Sequence, residues 1–320
     1  MQETPLVSIC CLTYNHKKYI RDAIEGFLMQ KTNFPIEVLI HDDASNDGTA
    51  DIIREYEAKH PEIIKPIYQT ENQWSKGIKP TMEFNFPRAR GKYIALCEGD
   101  DYWTDPYKLQ KQVDFLEKNG EYSMICHRVK ILNTNHKIFK PSPVLEDNYD
   151  FISSIENKII GKISTLSLVF RNKGPFDFLR DFPIGDYPLK IFLAKQGKIK
   201  CFREIMGVYR LHRGGIWSYS TQAKKSKTAI QLLSKILDWE LPDEVKQHFQ
   251  KSLGKHYFNL LKHQLNENDD QAINSFINAT KLNPQLVFEA IKDPDKLSTT
   301  PSNNTFHHQL KAKLKKWFFI

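Results

Sequence analysis

Leu6-Val7-Ser8-Ile9-Cys10-Cys11-Leu12 leads into a stretch, Lys17 to Gln30, in which Ile20, Ala23, Ile24, Phe27 and Leu28 are spaced along one helical face. The first segment is apolar apart from Ser8, as expected of a strand covered on both faces. The pair then recurs. Ile36 to Ile40 reads as a second strand and Asp42-Asp43-Ala44-Ser45-Asn46-Asp47-Gly48 as a turn, after which Ile52, Ile53 and Tyr56 face inward on a helix that Asp47 or Thr49 can cap. Strand, helix, strand, helix at this rhythm predicts right-handed βαβ units, hence an α/β protein with a mostly parallel, Rossmann-like sheet flanked by helices.

Outward from that stretch the pattern continues. Tyr93 to Cys97 is another apolar strand, followed directly by Glu98-Gly99-Asp100-Asp101. Asp105 and Pro106 then signal a helix start, with Leu109, Val113 and Leu116 on one face. Tyr122 to Cys126 and Ser164 to Phe170 read as strands, and Asp186 to Gln196 as a helix that Gly197 stops. Beyond Tyr219 the chain is helical in pattern as far as Lys292. The expected organisation is a main domain over 1–219, an all-helical extension over 220–297, and a linker with a basic amphipathic helix over 298–320.

Composition narrows the function class. Forty per cent hydrophobic residues and a mean hydropathy of -0.51 suit a globular chain with a real core. The five cysteines include no CxxC pair, which points to reduced thiols and neither a disulfide framework nor a zinc site. The start lacks the basic flank of a signal peptide, and no run approaches the roughly 18 apolar residues of a membrane span, so a cytoplasmic protein is expected. The net charge of +8 suits phosphorylated small molecules or an anionic membrane. No zinc finger or RNP-type aromatic pair accompanies it, so nucleic acid is not an expected partner.

The chemistry concentrates in the acidic turns. In open α/β sheets ligands bind beyond the carboxyl ends of strands, where Asp42-Asp43 and Asp100-Asp101 both fall. Carboxylates gathered on one edge repel unless a cation or donors intervene, and Mg²⁺ or Mn²⁺ fits because it takes its remaining ligands from water and substrate phosphates. Asp42 to Gly48 suits a plain turn equally well.

Val7-Ser8-Ile9 through Thr13-Tyr14-Asn15, then Asp42 to Thr49, then Gly91-Lys92-Tyr93-Ile94-Ala95 leading to Asp100-Asp101, resembles the family-2 glycosyltransferases over roughly residues 5–217. The resemblance implies a GT-A fold, a nucleotide-diphosphate-sugar donor (a UDP-sugar by family habit), a divalent cation and inversion at the anomeric carbon. It places Thr13, Tyr14 and Asn15 at the base and ribose, with Asp42 or Asp43 accepting from the base. Asp100 would lie at the ribose or sugar and Asp101 at the metal. The chain departs from the family's acid-spacer-acid pattern in carrying adjacent aspartates with Glu98 two residues earlier, so which oxygen meets the metal stays open. Asp186, in Gly185-Asp186-Tyr187, matches the family's catalytic base and also suits helix capping. His212, in Tyr209-Arg210-Leu211-His212, matches the histidine that reaches metal or diphosphate. Arg210 is read either as a stabiliser of the leaving diphosphate or as an ordinary ion-pair partner. Asn72, Trp74 and Gly77 loosely match a loop near the donor, Trp103 is read as acceptor platform or core, and Gly214, Gly215 and Trp217 suit a loop over the donor.

The acceptor expected from the resemblance is a glycan or lipid-linked sugar in cell-surface polysaccharide synthesis. Leu310 to Ile320 puts Leu310, Leu314, Trp317 and Phe318 on one face and lysines around the other, which suits either peripheral attachment to an anionic membrane or docking on the body. A nicotinamide enzyme is excluded because Thr13-Tyr14-Asn15-His16 stands where a GxGxxG turn would be. The remaining alternative is an inactive relative acting as an adaptor through its helical region.

Overall fold

The computed structural model describes residues 4–135, 137–214, 220–267, 269–292, 310, 312 and 313. These form two compact units, one of Met1–Asp181 with Gly185–Arg213, the other of Phe182–Ile184 with Gly214–Ile320. Residues 215–219, around the expected boundary, lie outside the described residues.

The first unit is built on a ten-stranded mixed sheet. Strands β1 (Val7–Thr13), β2 (Ile36–Asp42), β3 (Ile64–Tyr68) and β4 (Tyr93–Leu96) form its parallel part, in the order β3-β2-β1-β4. Helices α1 (Ile20–Leu28) and α2 (Thr49–Lys59) are the crossovers that the sequence period predicts. β1 and β4 are buried almost end to end. Ser8, the one polar residue of the opening run, is also fully buried. Its hydroxyl donates to Glu37 Oε1 at 2.7 Å and accepts from the Gly91 N–H at 2.8 Å, so neither group is stranded.

The second part departs from the parallel expectation. Strand β5 (Tyr102–Trp103) is followed by α3 (Lys108–Lys118), β6 (Tyr122–Asn133), β7 (Ile138–Pro141) and β8 (Asn148–Tyr149). After these come α4 (Phe151–Glu156), β9 (Val169–Arg171), α5 (Asp186–Gln196) and β10 (Lys198–Leu211). β9 lies between β4 and β6, antiparallel to both, while β6 and β10 run parallel. The expected strand over Ser164 to Phe170 is a 3₁₀ turn, Thr165–Ser167, before β9. Asp105 does not cap α3; its carboxylate accepts from the Tyr107 N–H at 2.8 Å and holds the turn ahead of the helix. One core runs through this unit, from Val7 and Ile9 to Trp103, Leu116 and Val169.

The second unit contains α6 (Gln222–Leu237), α7 (Asp243–Asn266), α8 (Ala272–Leu282) and α9 (Pro284–Lys292). Its core gathers Phe258, Leu261, Phe276 and Val287, and Leu310 is buried in it at 1% exposure. Leu310 therefore docks on the helices. The rest of the expected membrane-facing stripe, Leu314, Trp317 and Phe318, lies outside the described residues. No helix among the described residues is long and apolar enough to cross a membrane.

Candidate active site

The site assembles where β1, β2, β4 and β10 end. The turn after β4 stays bonded to β1: the Cys97 N–H donates to the Cys10 carbonyl at 3.2 Å and the Gly99 N–H to that of Leu12 at 2.9 Å. This carries Glu98 to Asp101 onto the end of β1. A side chain at Gly99 would put its Cβ 2.7 Å from Thr13 Oγ1, so the close approach requires glycine.

Asp100 is the centre of the cluster. His212, immediately after β10, bonds its carboxylate Oδ2 through Nε2 at 2.8 Å, and His16 Nε2 lies 3.9 Å from the same oxygen. Burial pushes the Asp100 carboxyl up, but the His212 bond and the charges of the two histidines outweigh it and leave it below the usual range. The ligand atoms of His16, Asp100 and His212 all lie within 4.8 Å of one another. Sequence reasoning passed over His16. Its position one residue past Asn15, at the end of the first strand, was the available signal.

Asp101, expected at the metal, lies beneath this cluster. It is 2% exposed, and its Oδ1 accepts the Arg210 backbone N–H at 2.8 Å. Burial, with the neighbouring charges of Asp100 and Glu98, pushes its carboxyl well up. The structure thus brings His212 together with Asp100 and not with Asp101. Arg210 is committed in the same layer. Its guanidinium donates to the Asp100 carbonyl at 2.9 Å, pairs with Asp22, and lies over the rings of Tyr102 (4.2 Å) and Tyr19 (5.2 Å).

Asp186 opens α5 without capping it; Gly185 holds the N-cap position and no side chain caps there. The Asp186 carboxylate is 42% exposed and meets the buried Lys190 ammonium, one turn on, at 3.0 Å. Lys190 also donates to the Ile163 carbonyl at 3.0 Å. Glu98 ties this corner to the cluster. Burial first, then the charges of Asp100 and Asp186, push it up to about 7, and Lys190 opposes them.

The donor-side loops are laced together. The Asn15 N–H donates to Ser45 Oγ at 2.8 Å, the Asn46 N–H to Asn15 Oδ1 at 2.9 Å, and the Asp43 N–H to the Thr13 carbonyl at 3.0 Å. Thr13 is fully buried under Gly99, and Tyr14 is 44% exposed. Asp42 and Asp43 are both 2% exposed. Asp42 holds Ser45, while Asp43 accepts the N–H groups of Gln73 (2.7 Å) and Trp74 (3.1 Å) and so fixes the loop that carries Asn72, Trp74 and Gly77. Trp103 is core: it is 2% exposed, donates to the Leu166 carbonyl at 2.7 Å and meets Phe27 edge-on. Gly215 and Trp217 lie outside the described residues.

One carboxylate and two imidazoles on a single edge suit a divalent cation, whose remaining positions water and phosphate oxygens would fill. The buried His16 Nδ1 has no hydrogen-bond partner among the described residues, so that ring has a nitrogen left for a ligand.

The chain is 39% identical over 216 residues to the uncharacterized protein Rv1520 of Mycobacterium tuberculosis (strain ATCC 25618 / H37Rv), a match covering 66% of this chain and 60% of that relative. Its fold is similar to that of S. aureus TarS 1–349 in complex with UDP-GlcNAc (TM-score 0.62, 18% identity, covering 96% of this chain and 92% of the other). It is also similar to the mannosyltransferase PcManGT of Pyrobaculum calidifontis in complex with GDP-Man and Mn²⁺ (TM-score 0.56, 15% identity, covering 99% and 88%). The architecture is accordingly GT-A-like, as the sequence implied. The profile of Glycosyl transferase family 2 matches residues 8–175, more than half of the 320, and the chain belongs to that family.

Proposed function

We propose that the protein is a metal-dependent inverting glycosyltransferase, moving a sugar from a nucleotide-diphosphate donor to a glycan or lipid-linked acceptor of cell-surface polysaccharide. The observation that carries this is the Asp100–His212–His16 cluster at the carboxyl edge of the sheet, with Asp186 near enough for its charge to reach Glu98, two residues before Asp100. Asp100 and His212, with His16, would hold a Mg²⁺ or Mn²⁺, which when bound supplies charge neutralisation for the departing diphosphate. The exposed Tyr14 ring is the surface of the β1–β2 loops on which a base stacks, with Asn15 and Asp42 bracing it. Asp186 accepts the proton of the acceptor hydroxyl as its oxygen attacks the anomeric carbon from the face opposite the leaving nucleoside diphosphate. One C–O bond forms, the C–O bond to phosphate breaks, and the configuration inverts. Lys190 holds the Asp186 carboxylate from behind.

The similar structures hold different nucleotides, UDP-GlcNAc and GDP-Man. The test therefore begins with thermal stability against UDP, GDP, dTDP and CMP, each with and without Mn²⁺. A nucleotide at a hundred times its Kd adds about 2.7 kcal/mol. With the donor identified, Asp186→Asn should lower kcat by about 10²–10⁴-fold while leaving nucleotide affinity intact, whereas Asp100→Asn should lose the metal-dependent stabilisation. Transfer by Asp186→Asn above a tenth of wild type would remove Asp186 as the base. No stabilisation by any nucleotide would favour the adaptor reading.

A further inference from the structure

From Tyr122 to Leu145 the chain contains no Asp or Glu but includes Arg128, Lys130, Lys137 and Lys140. The same segment forms the β6–β7 hairpin, with Leu132 opposite Phe139 and Asn133 opposite Ile138. All four residues of β7 are exposed. Ile138 and Phe139 are 51% and 52% exposed and Val144, just beyond, is 60% exposed. These are three of the seven exposed large hydrophobics among the described residues, gathered within seven positions. Lys130, Lys137 and Lys140 form no ion pair among the described residues.

The hairpin also has a meaningful place. Asn133 is in register with Leu211, and Thr134 donates through both its N–H and its hydroxyl to the Leu211 carbonyl at 3.0 Å. The hairpin turn therefore lies beside the end of β10, level with Leu211, one residue before His212. Exposed apolar side chains interspersed with lysines along one hairpin are poorly suited to water and well suited to the headgroup region of an anionic bilayer, where apolar side chains enter the acyl boundary and lysines meet lipid phosphates. A polyanion alone would satisfy the lysines and leave Ile138, Phe139 and Val144 in water, so the observations favour a lipid surface.

We propose that the β6–β7 hairpin, with Ile138 and Phe139 beside its turn, Val144 past the end of its second strand and Lys130, Lys137 and Lys140 along it, docks the protein on anionic membrane. The inference needs no assumption about sugar transfer, because docking is measured without donor. It brings the His212 edge to the bilayer, where an acceptor on a lipid carrier would sit.

The experiment is cosedimentation of the full chain with phosphatidylcholine vesicles, with and without phosphatidylglycerol. The expected result is binding only to the phosphatidylglycerol-containing vesicles. Lys137→Gln/Lys140→Gln should weaken that partitioning by about 30-fold, and Ile138→Ser/Phe139→Ser by at least about 10-fold. Each variant keeps the wild-type melting temperature, since the residues changed are solvent-exposed. The lysine pair serves as the second probe should the apolar pair misfold. Absence of wild-type binding to either vesicle overturns the proposal. So does unchanged binding of both variants, including the case in which deleting 314–320 alone abolishes it. A wild-type dimer in light scattering that becomes monomeric in Ile138→Ser/Phe139→Ser assigns the edge to a second copy, and likewise overturns it.

Discussion

Replacing Arg210 by methionine separates two uses of its guanidinium, a brace beneath the acidic turn and a contact to the departing diphosphate. As placed, the group is 8% exposed, lies over two tyrosine rings, donates to the Asp100 carbonyl and pairs with Asp22. Two partly desolvated cation–π contacts contribute about 1 kcal/mol each. The charge-assisted bond to the carbonyl contributes about 1.5 kcal/mol. Asp22 is half-exposed, so after solvent screening that pair adds only about 0.5 kcal/mol. A methionine stem recovers about 1 kcal/mol by packing on the same rings. The net expectation is a loss of about 3 kcal/mol in the sheet unit, read by urea denaturation followed through tryptophan fluorescence. Asp22→Asn should cost about 0.5 kcal/mol in the same assay. If Arg210→Met changes stability by less than about 1 kcal/mol yet abolishes nucleotide binding, the brace assignment is wrong and the guanidinium belongs to the donor.

Two further outcomes follow from buried cations. Lys108 is fully buried 3.9 Å over the Trp103 ring, its Nζ has no hydrogen-bond partner among the described residues, and burial pushes its ammonium down to about 7. Its folded value lies below the ordinary 10.5, so between the two the unfolded chain holds the extra proton and stability rises with pH by about 1.4 kcal/mol per unit; urea midpoints at pH 7 and 8.5 should show the slope, and Lys108→Met should flatten it. Lys190→Met removes the cation that holds Asp186 and should lower kcat about tenfold with little change in the donor KM, measured once a donor is known; an unchanged kcat would mean that Asp186 is positioned by something else.

Much of this was legible before any coordinates. The switch between continuous apolar runs and a 3.6-residue period over residues 6–59 revealed the opening βαβα, and the strand-end rule placed both acidic turns on the working edge. Strand direction was not legible, because a short apolar run such as Leu168-Val169-Phe170 looks the same whether it enters the sheet parallel or antiparallel. Adjacent aspartates posed a similar problem. Spacing places Asp100 and Asp101 together, but which carboxylate turns outward depends on which one the Arg210 backbone captures, a contact 109 residues away in sequence. The motif leaves open whether Asp42 or Asp43 meets the base, and only the structure shows Asp43 accepting the N–H groups of Gln73 and Trp74. The pairing of His16 with His212 across the cluster required knowing that β1 and β10 end on the same side. Trp103 was ambiguous for a different reason: an indole suits a sugar platform and a core equally, and only the Leu166 carbonyl as partner decides.

The placement of β9 has a consequence for the order in which the chain matures. The strands of the β3-β2-β1-β4 half all emerge within the first 96 residues and can pair while synthesis continues. β6 has no path to that half until Val169–Arg171 arrives, because β9 is the strand that joins β4 to β6. A nascent chain stalled between Leu96 and Val169 therefore carries a paired half-sheet whose β4 edge is bare, a ready template for association with another chain. Ribosome-stalled intermediates of that length should be the ones that chaperones hold most persistently.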